Sequence, residues 1–435
     1  MELSAQRHHE LESEINVGVG TVSRNFRIGQ ETVLILAAAL AGFFLKLAIA
    51  YSTFGTNDVA SFYMFAGSLR DHGLEWTYRN GVVFFSNFPV FNHPPLTAYY
   101  LELIDNLSKN PLLREYSLTF PFLLRLPGII ADLVSAFVLI RIRQLTRRLR
   151  IPNWAMLLFA LSPVSVMVSG FHGNTDSILV MFLLLAAYAC LRERPIWCGI
   201  FFALSCQVKI IPFLLVPIFW FFWQRRQVAM RFILPVALVT AALWIQPLLQ
   251  FPLLFFRNVV SYNSLWGSWG ISYCLKLTEW SQFKGGFFNL PTGATIVVWA
   301  LKAAIVGSVF AIAWRRRHFA DREVFDSLAC SWIIFFVLAP GVCPQYLVWP
   351  APFILLLSPI LYGWFTIASS VALFCFYNSL TGGLPWYIGI ARNNADGFGQ
   401  SALWALLPWF ALIVGIIFSW KSAISVNSAA ETETT

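Results

Sequence analysis

Long, unbroken apolar runs recur along almost the whole chain, at about 31–51, 118–140, 151–169, 175–191, 196–208, 210–223, 232–250, 292–314, 324–340, 345–360, 361–379 and 400–420. A helix needs roughly 20 apolar residues to cross the hydrocarbon core of a bilayer, and most of these runs come close. The runs are continuous rather than alternating, which excludes a β-barrel. The pattern therefore predicts an all-α, polytopic helical membrane protein with about twelve transmembrane segments, some short or broken. The pair 196–208 and 210–223 is too short for two full spans and predicts a shallow hairpin bent at Lys209-Ile210-Ile211-Pro212. Broken backbone at membrane depth is tolerated only where protein or a water-filled cavity surrounds it.

One stretch departs from the pattern. Residues 52–117 are polar and aromatic, and they predict a long first extracytoplasmic loop. Their aromatic density argues against disorder, and a long loop in a compact protein is usually functional. The remaining boundaries follow: a cytoplasmic N-terminal tail over 1–30, a single transmembrane domain over 31–420, and a cytoplasmic C-terminal tail over 421–435.

Composition sharpens this picture. Hydrophobic residues make up 58% of the chain and charged residues 12%, against about 25% charged in soluble proteins. No small-residue cleavage site follows the first apolar run, so no cleavable signal peptide is expected. The net charge of +9 gives no sign of nucleic-acid binding. It comes from short arginine clusters between apolar runs, such as Arg141-Ile142-Arg143, Arg225-Arg226 and Arg315-Arg316-Arg317, the mark of cytoplasmic connections. Placing the N-terminus inside puts these clusters inside as well. It also gathers Asp58, His93, His172, Asn174, Asp176, Lys209, Gln345, Tyr346 and Arg392 on the opposite face. A protein with its elaboration on one face is expected to work there. The seven cysteines include no close pair and read as small apolar packing residues.

Four stretches carry candidate chemistry. Asp58 follows Gly55-Thr56-Asn57 just past the first span. An acid here suits a helix cap or turn, and it equally suits a general base held over the mouth of the membrane. Gly170-Phe171-His172-Gly173-Asn174-Thr175-Asp176 forms a very short turn that ends at a helix start, where the dipole favours an acid; capping alone would also explain it. Lys209 lies among apolar residues, where it must snorkel or find an anion, and a lysine binds phosphate as a point charge. Cys343-Pro344-Gln345-Tyr346-Leu347-Val348-Trp349 opens a span and reads as either an interfacial belt or the wall of a sugar or lipid site. No P-loop, GxSxG or HExxH pattern occurs in the sequence.

In this order the stretches resemble the GT-C glycosyltransferases, and within them GPI mannosyltransferase I and its bacterial relatives. The resemblance rests on Thr56-Asn57-Asp58, Asn92-His93-Pro94-Pro95-Leu96, Ser162-Pro163 through Asn174-Thr175-Asp176-Ser177, Val208-Lys209-Ile210-Ile211-Pro212 and the Cys343–Trp349 stretch, over about residues 31–360. It implies inverting transfer of a hexose, mannose first, from a polyprenyl-phosphate donor to an extracytoplasmic glycan, lipid or protein acceptor. It assigns Asp58 the catalytic role, as base or metal-positioning residue. Asn57, His93, His172, Asn174, Asp176, Lys209, Gln345, Tyr346 and Arg392 become substrate-binding candidates, with Arg125 in reserve. Thr56 stands where the eukaryotic mannosyltransferases carry a second acid. That departure argues against a bound divalent cation, which stays the one cofactor alternative; no other cofactor is expected.

The bilayer and the lipid-linked sugar are thus the expected partners. The expected location is a bacterial inner membrane, with the endoplasmic reticulum as the alternative. Asn106-Leu107-Ser108 is a glycosylation acceptor pattern, but such triplets arise by chance. The competing readings are a secondary transporter and a lipid-linked-saccharide flippase. A transporter tends to show two similar halves and a midplane site, and no half-to-half similarity is visible here.

Overall fold

The computed structural model describes residues 29–82, 90–146, 151–261, 269–276, 292–317, 323–381 and 402–417. These residues fold as helices joined by short turns. The principal ones in chain order are α1 (Gln30–Ser52), α2 (Asn57–Asn80), α3 (Pro95–Ser108), α4 (Pro111–Glu115), α5 (Phe120–Leu145), α6 (Asn153–His172), α7 (Asp176–Leu191), α8 (Pro195–Val208), α9 (Ile211–Arg225), α10 (Ala229–Gln250), α11 (Thr292–Arg315), α12 (Glu323–Leu338), α13 (Pro344–Leu357), α14 (Pro359–Thr381) and α15 (Leu403–Ile417), with short helical pieces at Pro252–Phe255, Phe256–Val260 and Gly270–Lys276 between α10 and α11. Six of them, α1, α5, α6, α10, α11 and α14, are long and apolar enough to cross a membrane, and α7, α8, α9, α12, α13 and α15 are shorter apolar helices. Each predicted apolar run has become a helix.

Proline sets many of the starts. Pro95, Pro111, Pro121, Pro195 and Pro359 sit in the first turn of their helices, where the missing N–H has no partner to lose. The main apolar core is built from α5 through α14, around Phe202, Phe219, Phe232, Trp332 and Trp349. Within it α7 packs on α5 and α8, and α8 packs on α10. The predicted break at Lys209-Ile210-Ile211-Pro212 is present. Helix α8 stops at Lys209, whose backbone is extended, and the chain resumes as a 3-10 turn over Ile211–Leu215.

The stretch 52–117 is not a loop. Its described residues fold into α2, α3 and α4, which pack around a second core of Val59, Phe62, Phe65, Leu69, Phe91, Ala98 and Leu101, joined by Phe251 and Phe255. The apolar positions of α2 recur at helical spacing (Val59, Phe62, Phe65 and Ala66, Leu69), so one face is buried. This small helical layer brings the start of α2 against the α6–α7 turn, where the candidate residues meet.

Candidate active site

Gly55 turns the chain out of α1 with φ of +100°. Thr56 then caps α2 by accepting the Asp58 N–H at 3.3 Å. The same hydroxyl donates to the His172 carbonyl at 2.8 Å. A single threonine thus aligns Asp58 with the end of α6. That end is unusual: Val166–His172 winds as a π-helix and closes at Gly173, whose φ is +82°. A π-turn is a rare register shift that is frequent at functional sites. Here it carries His172 to Asp58.

Three donors converge on one carboxylate oxygen. Asp58 Oδ2 accepts from His172 Nε2 at 3.0 Å, Asn174 Nδ2 at 2.6 Å and Gln345 Nε2 at 3.3 Å. Because a carboxylate only accepts, His172 Nε2 carries the hydrogen. No side chain among the described residues bonds Oδ1, and 38% of the Asp58 side chain remains open. Burial works against the charged form, but His172, Asn174 and the more distant Lys209 outweigh it and hold the Asp58 carboxyl down at about 2.

Behind this pair lies a buried ion pair. Lys209 Nζ donates to Asp176 Oδ1 at 2.9 Å. Trp349 Nε1 donates to the same oxygen at 2.6 Å. Asp176 is fully buried, so it stands behind Lys209 rather than on a substrate-facing wall. Lys209 also lies 4.4 Å above the Tyr346 ring, which stacks on Trp349 at 4.0 Å.

A cavity of about 270 Å³ opens beside this group. One side is polar, with Asn92, His93, Lys209, Lys302 and Tyr346. The other is apolar, with Ile210, Leu214, Val259, Val260, Ile305, Val306 and Phe335. Burial, and the charge of Lys209, push His93 down to about 3, so it meets the cavity as a neutral imidazole. Val260 and Val306 on the rim are strongly exposed, so the cavity opens through the apolar outer surface of the helices.

The predicted residues therefore gather. His172, Asn174 and Gln345 bond Asp58, Asn57 adjoins it, Asp176 holds Lys209, and His93 and Tyr346 share a cavity with Lys209. Arg392 lies outside the described residues. Arg125 takes a different place from its reserve role. It is fully buried in α5, and its guanidinium donates to the carbonyls of Ala50, Thr53, Pro121, Gly170 and Phe171 and to Thr53 Oγ1. All its donors are spent on the protein itself, on five carbonyls and the Thr53 hydroxyl. Sequence reading passed over Lys302, near the middle of α11. An ionisable residue so far from either end of a span was the signal available. Among the described residues no three His, Cys, Asp or Glu side chains cluster as metal ligands do.

The sequence model of glycosyltransferase family 87 matches residues 118–340. The chain belongs to glycosyltransferase family 87. This is a GT-C-type family, in keeping with the helical architecture. The match covers His172, Asn174, Asp176, Lys209 and Lys302 of this family 87 transferase; Asp58 and His93 precede it and Gln345 and Tyr346 follow it. No curated protein matches the chain, so the nearer likeness to GPI mannosyltransferase I rests on the quoted motifs alone.

Proposed function

We propose that this membrane glycosyltransferase moves a hexose, mannose first among candidates, from a polyprenyl-phosphate donor to a hydroxyl of an extracytoplasmic glycan, lipid or protein, with inversion and with Asp58 as base. The carrying observation is the pairing of a carboxylate whose Oδ1 is bonded by no side chain among the described residues with an adjacent cavity that offers two lysines and an apolar exit. A lipid phosphate leaves readily once its charge is neutralised, so no general acid is needed. Lys209 and Lys302 supply positive charge where the phosphate departs. Lys209 spends one hydrogen on Asp176 and keeps the others for the ligand. The acceptor oxygen attacks the sugar carbon from the side opposite the phosphate, and its proton passes to Asp58 Oδ1. A carboxylate held near 2 takes no proton from a neutral alcohol at rest. The transfer is therefore late, after C–O bond formation has made the acceptor oxygen acidic.

The test uses the purified protein in lipid vesicles with radiolabelled polyprenyl-phosphate mannose and a membrane glycolipid extract as acceptor. Expected is label in a new, more polar product. Asp58→Asn should lower that transfer by about 10²–10⁴-fold at unchanged protein level. A transporter or flippase would move label across the bilayer and form no product. Full transfer by Asp58→Asn would remove Asp58 from the chemistry.

A further inference from the structure

Deep in the bundle, one ion pair takes no part in the cavity. Lys46 of α1 is 4% exposed, and its Nζ donates to Asp132 Oδ2 of α5 at 2.7 Å and to Ser165 Oγ at 2.6 Å. Asp132 Oδ2 also accepts from Ser165 and Ser169, each at 2.6 Å. Ser169 in turn meets Ser177 Oγ at 2.8 Å, one residue from Asp176. Charges inside a spanning helix are costly. A buried ion pair is a poor way to gain stability, since well-packed apolar residues do as well or better; its best-attested use is to fix one registry.

The registry at issue is the π-helix. Ser169 is tied to Asp132. The Gly170 and Phe171 carbonyls accept from Arg125. The His172 carbonyl accepts from Thr56, and the His172 ring meets Asp58. Every residue from Ser169 to His172 is thus gripped, and the Asp132 carboxylate is the charged anchor at the Ser169 end of the run. Gly170 is pressed against Lys46: a Cβ there would lie 3.3 Å from the Lys46 Cα. A slip of the π-turn by one residue would withdraw Ser169 from Asp132 and swing His172 off Asp58.

We propose that the Lys46–Asp132 pair is a positioning device that locks the π-turn Val166–His172 and so holds His172 on Asp58; Lys46, Asp132 and Ser169 are positioning residues for transfer. This rests on Asp58 being the base. The charged and titratable groups facing Asp58 are His172 from the π-helix, Lys209 from the hairpin tip, His93 from the start of α3, Cys343 ahead of α13 and Tyr377 from α14. Of these, His172 is the one whose position the device sets.

The discriminating variant replaces the pair with apolar residues of similar size, Lys46→Met with Asp132→Leu, in the full-length protein. Ser169→Ala is made beside it, since it cuts the link without touching either charge. Three quantities are read: thermal stability, transfer from polyprenyl-phosphate mannose as a function of pH, and hydrogen exchange of the backbone amides of 166–173. Expected are unchanged stability, faster exchange confined to that segment, and kcat lower by about ten- to hundredfold at unchanged donor KM, the scale of a misplaced catalytic group. An acid limb should also appear above pH 4, because Asp58 loses the partner that opposes its burial. Wild-type kcat, pH profile and exchange in both variants would overturn the proposal. So would a loss of stability with a wild-type pH profile. His172→Ala is the control: if it gains the acid limb and the Lys46/Asp132 variant does not, this inference fails alone. If His172→Ala also lacks the limb, the role of Asp58 fails with it.

Discussion

At Asp58 the environment matters more than the residue type. An aspartate at a helix start is ordinary, and Thr56 does the capping here, which leaves the carboxylate for other work. Three donors on Oδ2 fix its direction and keep it ionised. Ionisation sets a pH expectation. With the folded carboxyl at about 2, Asp58 stays charged at any pH above about 4, so its titration contributes no acid limb to the wild-type rate in the accessible range. Removing His172 leaves burial less opposed, which raises the Asp58 pKa. Activity of His172→Ala should therefore fall as the pH drops from 6 to 4, where the wild type holds level. A pH series on transfer rate at saturating donor checks this, and parallel profiles would count against it. Much of this site was legible in the sequence, because His172, Asn174, Lys209 and Gln345 are polar residues in otherwise apolar surroundings. Arg125 is a different case. From sequence alone a buried arginine looks like a phosphate ligand, and only coordinates show that six acceptors on the protein itself have consumed it.

Among the elements, the α6–α7 turn is the most constrained. Gly173 closes the π-helix in the left-handed region, and a Cβ there would fall 2.2 Å from Val59 Cγ2. Val59 is fully buried and cannot step aside. Gly173→Ala should thus combine backbone strain with a clash and cost about 3 kcal/mol or more, read as a fall in Tm of the purified protein. Val59→Ala should restore part of the loss when combined with it, as contacting residues couple. Additive effects would mean the clash is not the cause. The turn itself was legible as a short connection, but the π-winding was not. Nothing in Val166–His172 distinguishes five-residue from four-residue bonding; the extra residue is stabilised by distant partners at Asp132, Arg125 and Thr56. The helical layer over 52–117 is a different case. Its apolar spacing in α2 was present in the sequence, yet the polar and aromatic content of the stretch masked it, and length alone suggested a loop.

Taken whole, the molecule sets the Asp58–His172 pair beside a cavity that leads out through its apolar surface. Helices α10 and α11 expose Leu238, Ile245, Leu249, Ile296, Val306 and Phe310, as helices that meet lipid do. The cavity rim at Val260 and Val306 lies on this surface. On the proposed reading, the charged head of the donor would reach Lys209 while its hydrocarbon tail stayed in the bilayer. Lys302 is the decisive residue for this reading. It sits ten residues, about 15 Å, from the start of α11 and further from the end, too deep to reach water by snorkelling alone. Its Nζ lies 5.1 Å from the centroid of the Trp299 ring, and the side chain lines the cavity, where an anionic head would meet its charge. Lys302→Met removes one charge-assisted contact and keeps the apolar stem. If the donor phosphate binds beside it, affinity for polyprenyl phosphate should fall by about ten- to hundredfold, the value of a contact worth roughly 1.5–3 kcal/mol. Binding of polyprenyl phosphate to the purified protein reads this directly. A polyprenol lacking the phosphate should bind both forms alike. Equal losses for the two lipids would mean that Lys302 shapes the cavity wall, and equal affinities throughout would move the phosphate elsewhere. Asp58 needs no part in this measurement, so the carrier route stands or falls apart from the base.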